Sequence, residues 1–98
     1  MTTWIVSRHP GAIEWLRRRG YRDAHHLAHL QWRRVAPGDV VIGNLPISLV
    51  AELGRRGIAY YHLTVPLPHE RRGRELSADE LEQLGACLQR YQATKPRD

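Results

Sequence analysis

What this chain lacks narrows its class before any motif is read. It has one cysteine, Cys87, in 98 residues, so no internal disulfide can brace it. Cys87 falls inside a helical apolar pattern and is expected to be buried rather than reactive. No apolar run approaches the ~20 residues that cross a bilayer. The N-terminus carries no apolar signal segment, so a cytoplasmic protein is expected. Repeats, linkers and low-complexity segments are missing. So is any basic tract interleaved with aromatics, which argues against a groove for long nucleic acid. The signatures G-x-G-x-x-G, G-x-x-x-x-G-K-[ST], G-x-S-x-G and H-E-x-x-H do not occur, nor does Cys/His zinc spacing. No metal and no cofactor is expected.

Lysine is nearly missing too: Lys95 stands alone against fourteen arginines, in a chain of net charge +5. Residues 1–49 hold seven of those arginines against three acids, so the positive excess lies in the first half. The planar guanidinium fork binds phosphate through two hydrogen bonds, and an excess of such groups points to polyanionic partners. The run Arg17-Arg18-Arg19 reads differently, as a solvated helix end set favourably against the negative pole of its dipole.

At 42% hydrophobic residues, 98 residues form one domain, 1–98, with a modest core. Trp4–Ser7 and Val40–Ile42 read as buried strands, the second without a polar interruption. Each runs into a sharp turn and then a helix. Arg8-His9-Pro10-Gly11 leads to a helix from about Gly11 to Arg19, and Gly43-Asn44-Leu45-Pro46 to one ending near Arg56, with Pro46 at its first position. A short strand is expected around His26–Leu30 and another over Ile58–Val65. Ser77-Ala78-Asp79-Glu80 is a capping box, flanked by Leu76 and Leu81 as a hydrophobic staple. The stripe Leu81, Leu84, Leu88 and Tyr91 predicts a helix reaching about Gln92, with 93–98 a frayed tail. The order β-α-β-β-α-β-α specifies an α/β protein with a three-layer, mostly parallel sheet of Rossmann-like type.

Ligands of such sheets sit at the carboxyl ends of the strands, where outward N–H groups and positive helix ends attract anions. The candidate site therefore comprises Ser7, Arg8 and His9 as reacting groups. Pro10, Gly11, Gly43, Asn44 and Leu45 are candidate ligand contacts, and Arg72 and Arg74 of the following arginine-rich loop could join them. His25, His26 and His29 read as a partly exposed edge strand rather than a metal site, because strand alternation splits them between faces. His62, between Tyr61 and Leu63, reads as a satisfied core histidine. Among acids, only Glu70 and Glu75 fall near a strand end, which gives poor support to two-carboxylate or two-metal hydrolysis. Metal-free cleavage of RNA-type phosphodiesters needs less. The substrate's own 2′-OH attacks, and the protein aligns it and holds the developing charge. Arginine, histidine, serine and helix-end N–H groups are sufficient for that.

Trp4-Ile5-Val6-Ser7-Arg8-His9-Pro10-Gly11-Ala12-Ile13-Glu14-Trp15-Leu16 resembles the opening of a small CRISPR-associated family encoded beside type III systems. Gly38-Asp39-Val40-Val41-Ile42-Gly43-Asn44-Leu45-Pro46, then Tyr61-His62-Leu63, Leu67-Pro68 and Arg72-Gly73-Arg74-Glu75-Leu76-Ser77, resemble its later blocks. Asn44 stands where many members are expected to carry threonine. The resemblance implies kinship with the CARF group, Rossmann-like homodimers that bind cyclic oligoadenylates. It further implies a ring nuclease that degrades cyclic tetra-adenylate without a metal. The alternatives are a non-catalytic sensor of the same ligand, or a small RNA-binding or scaffold subunit of a CRISPR effector.

Overall fold

Trp4-Ile5-Val6 and Val40-Val41-Ile42, the runs least interrupted by polar groups, pair with each other at the middle of the sheet. In the computed structural model residues 1–66 and 73–97 are described. The elements are β1 (Thr3–Val6), α1 (Pro10–Arg18), β2 (His25–Leu27), β3 (Val40–Gly43), α2 (Ile47–Arg55), β4 (Ala59–Thr64), α3 (Ala78–Leu84) and β5 (Cys87–Arg90). The strands lie in the order β2-β1-β3-β4-β5; the first four are parallel and β5 is antiparallel to β4. The fold is thus α/β, with the mostly parallel five-stranded sheet of a Rossmann-like protein.

Handedness then sets the layers. The connection β1-α1-β2 steps one way along the sheet and β3-α2-β4 steps the other, so right-handed crossovers put α1 and α2 on opposite faces. Alternate residues of each strand serve the two faces. Ile5, Ile42 and Leu63 pack with Ala12, Trp15 and Leu16 of α1 and with Ala78 and Leu81 of α3. Trp4, Val6, Val41 and Tyr60 pack on the other side with Val50 and Leu53 of α2. This explains why Trp4–Val6 and Val40–Ile42 are apolar at every position. Ile5, Val41, Ile42, Leu16 and Leu53 are fully enclosed, each contributing about 1.5–3 kcal/mol relative to exposure.

Asp39, just before β3, is the buried carboxylate of this core. It accepts from Thr2 N–H at 2.9 Å, Trp4 Nε1–H at 3.0 Å and Ala36 N–H at 3.0 Å. Burial alone would raise its pKa, but the three donors together hold it below its ordinary value. The N-terminal residues, the strand β1 and the turn into β3 are thereby tied to one group.

Several expectations are corrected. The third helix stops at Leu84 rather than near Gln92, because Gly85 takes the left-handed conformation with φ 85° and ends it. Ala86 N–H then bonds Leu81 O at 3.0 Å, and the chain turns back as β5. Leu88 lies on that strand, Tyr91 just beyond it, and Cys87 is exposed on its outer edge rather than buried in a helix. The strand expected at His26–Leu30 is His25–Leu27, with both histidines exposed. Ser7 lies just past β1. Pro46 caps α2 from outside instead of opening it. The capping box at Ser77 and Glu80 forms as expected, with both of its hydrogen bonds at 3.1 Å.

Candidate functional site

The sheet reverses its direction of growth between β1 and β3, and both loops that leave those strands open onto the same cavity. It holds about 420 Å3 and is lined by Ser7, Arg8, His9, Gly43, Asn44 and Leu45, with Leu16, Ile42, Leu49 and Leu63 among its apolar walls. A second space, also about 420 Å3, adjoins it along the end of β4. His9, Ala12, Asn44 and Leu63 line both, so they form one groove, whose far end is walled by His62, Thr64, Arg74 and Glu75.

Close backbone approaches shape the groove. A Cβ on Gly43 would lie 2.7 Å from Val6 O, so only glycine lets β3 run this tightly along β1 to its end. A Cβ on Gly11 would lie 1.9 Å from Leu76 O, so glycine lets the lead-in to α3 press onto the first turn of α1. Both were candidate ligand contacts. Gly43 lines the groove, whereas Gly11 does not, and the close approach gives Gly11 a packing reason.

The β1 loop is held by its neighbours. Ser7 N–H donates to Leu27 O at 3.0 Å, and His26 Nε2–H donates to Ser7 O at 2.6 Å. Ser7 Oγ accepts His9 N–H at 3.1 Å, which folds the turn and leaves the hydroxyl proton free to be donated. Neither α1 nor α2 has a side-chain cap or an acid in its first turn, whereas α3 closes its own N-terminus. The first N–H groups of α1 and α2 are therefore available where these helices meet the groove.

The arginines divide by what they touch. Arg17 donates to Arg22 O at 2.7 Å and Ala24 O at 3.3 Å. Arg18 pairs with Glu14 and Asp79, and Arg19 pairs with Glu82 while lying 4.5 Å over the Trp15 ring. That triplet is structural, as its reading as a helix end anticipated. Arg8 has no hydrogen-bond or ion-pair partner among the described residues and stands at the mouth of the groove. Arg74 reaches the groove but pairs with Glu80. Arg72 lies outside the described residues, as do Leu67-Pro68 and Glu70.

Sequence reasoning missed the polar chain under the floor. Leu45 N–H donates to Tyr60 Oη at 2.9 Å, and Tyr60 O–H donates to Gly43 O at 3.0 Å. His62 Nδ1 lies 2.7 Å from Tyr60 Oη, and His62 Nε2 lies 3.3 Å from Asn44 Nδ2. Asn44 Nδ2–H also donates to Leu63 O. One assignment satisfies every member: neutral His62 donates from Nδ1 to the phenol and accepts from Asn44 at Nε2. Burial pushes the Tyr60 phenol above its ordinary pKa, against the donor at Leu45, so it keeps its proton. His62 is thus half-buried and hydrogen-bonded at the groove rather than in the core. Glu75 was noted only as an acid near a strand end, and its pairing was missed: its Oε1 lies 3.0 Å from His9 Nδ1. Among the described residues no three His, Cys, Asp or Glu side chains gather about one point.

Fold and groove together define a Rossmann-like α/β protein whose strand-end cleft is built from main-chain donors, an unpaired arginine and hydrogen-bonded histidines. Residues 4–94 match the model of a family described as "Putative CRISPR-associated protein (Cas_VVA1548)", and the chain belongs to that family. A search of curated proteins and one of solved structures found no significant match.

Proposed function

We propose that this chain is a ring nuclease, which binds cyclic tetra-adenylate and opens it without a metal, switching off type III CRISPR signalling. The observation that carries the reading is Arg8: an uncompensated guanidinium beside His9, at a groove edged by the open N-termini of α1 and α2. Membership of a CRISPR-associated family supports the biological setting.

The chemistry follows from the groups present. A ribose 2′-OH attacks the adjacent phosphorus; the O2′–P bond forms and the P–O5′ bond breaks, leaving a 2′,3′-cyclic phosphate and a 5′-OH. Arg8 and the loop N–H groups hold the charge that builds on the phosphorane oxygens, and Ser7 and Asn44 orient the ring. His9 takes the proton from the 2′-OH and returns one to O5′. Even with both of its spaces, of about 420 Å3 each, the groove of one chain is too small for four nucleotides. A two-fold pair of chains would present Ser7, Arg8, His9 and Asn44 twice around a ligand of matching symmetry. The protein is therefore proposed to act as a homodimer.

Incubating purified protein with cyclic tetra-adenylate in EDTA tests this. Linear products ending in 2′,3′-cyclic phosphate are expected. A ring that binds and survives would make the protein a sensor, and a ring that does not bind would reject the reading.

A further inference from the structure

We infer that Glu75 is the positioning residue for His9: it holds the Nδ1 proton and thereby leaves Nε2 as the nitrogen that faces the substrate. The inference rests on the ring-nuclease reading for its substrate, though not for its geometry. Glu75 Oε1 and His9 Nδ1 are 3.0 Å apart although the residues are separated by 66 positions in sequence. A carboxylate only accepts, so the pair requires the proton on Nδ1. His9 and Glu75 both line the far part of the groove, on the same side as Asn44.

The contact is built by packing, not by the ion pair itself. Both side chains are about two-thirds exposed, and pairs that open to water add little to stability. What brings them together is Gly11. Its missing side chain lets Leu76 O settle on the first turn of α1, and Glu75 precedes Leu76 while His9 caps α1. From the other side, Ser77 and Glu80 close the start of α3, which fixes the direction in which the 75–77 segment enters. His9 is constrained independently, because its N–H is tied to Ser7 Oγ. Backbone contacts on both partners thus set the distance before either side chain contributes.

The consequence is chemical. A neutral imidazole with hydrogen on Nδ1 presents a bare Nε2, which accepts the proton of the attacking 2′-OH and passes it to the departing O5′. No water and no net proton is consumed. Without Glu75 the ring is free to rotate and to place its hydrogen on Nε2, where it can no longer act as the base.

Two measurements test the inference. In single-turnover cleavage of cyclic tetra-adenylate, Glu75→Ala should slow the reaction on the order of tenfold to a hundredfold, less than His9→Ala does. In a His9→Ala background the same change should have no further effect, because the two act as a unit. An unchanged rate, or an equal loss in both backgrounds, would overturn the inference. Nitrogen NMR of the His9 ring reads the tautomer without substrate: wild type should carry hydrogen on Nδ1, and Glu75→Ala should move it toward Nε2. A tautomer that Glu75→Ala leaves unmoved would overturn the inference. A wild-type protein that leaves the ring intact rejects the nuclease reading, and the NMR result then decides the Glu75–His9 link by itself.

Discussion

Replacing Tyr60 by phenylalanine isolates the polar chain beneath the groove, because the ring and its burial are kept and only the hydroxyl is lost. Three contacts go with it: the acceptor for Leu45 N–H at 2.9 Å, the donor to Gly43 O at 3.0 Å and the partner of His62 Nδ1 at 2.7 Å. An orphaned buried polar group costs about 1–3 kcal/mol. Leu45 and His62 are only half-buried, so water relieves part of that cost, whereas Gly43 is buried and gains no such relief. The loss should be about 1–2 kcal/mol, or a fall in Tm of roughly 4–15 °C for a domain of this size. Urea unfolding followed by tryptophan fluorescence should show an earlier midpoint at an unchanged slope. The double variant with His62→Gln should lose less than the sum of the singles, since both remove the same link. A Tyr60→Phe protein as stable as wild type, or strictly additive variants, would refute the chain as a connected unit.

Two further predictions concern charge. Asp39→Asn should cost about 1–3 kcal/mol at neutral pH, because the amide keeps its oxygen on Trp4 and Ala36, which share Oδ2, only by setting its own hydrogens against Thr2 N–H at the Oδ1 place. The folded Asp39 carboxyl lies below the ordinary 3.8, so its stabilisation is full above that pH and is lost as pH falls through the lower folded value. Wild type should therefore lose stability on acidification below about pH 4, and Asp39→Asn should lack that component; parallel acid curves would sink the idea. Arg8→Ala should weaken binding of cyclic tetra-adenylate by ~1.5–3 kcal/mol and flatten its salt dependence. Isothermal titration at two salt concentrations reads both, and an unchanged dissociation constant removes Arg8 from the site.

Much of this architecture could be read from local pattern. The pairing of Trp4–Val6 with Val40–Ile42, the strand-end location of the groove and the box at Ser77 all rest on signals contained within a few residues. The error at α3 arose because Leu81, Leu84, Leu88 and Tyr91 fit a helical period, and one glycine outweighs that period when its backbone turns left-handed. Gly85 was the available signal. That Ser7, Arg8, His9, Gly43 and Asn44 line the groove was legible because they end or directly follow the central strands. His62 was not, because a half-buried histidine within a strand looks the same whether it faces a core or a groove. The pairing of Glu75 with His9 was out of reach for a different reason. The partners lie in distant segments, and no local rule predicts that Gly11 admits the carbonyl of Leu76.

The sheet order also sets a timetable for the nascent chain. β1 is made first, yet it ends up between β2 and β3, so it must wait for strands that emerge later. A parallel neighbour can only be recruited after the crossover between them has been synthesised, and closing such intervals is what makes these sheets slow to form. On a ribosome the two walls at Ser7–His9 and Gly43–Leu45 become possible once β3 has cleared the exit tunnel. The segment that carries Glu75 emerges later still, so the groove exists as a shape before it holds its last side chain.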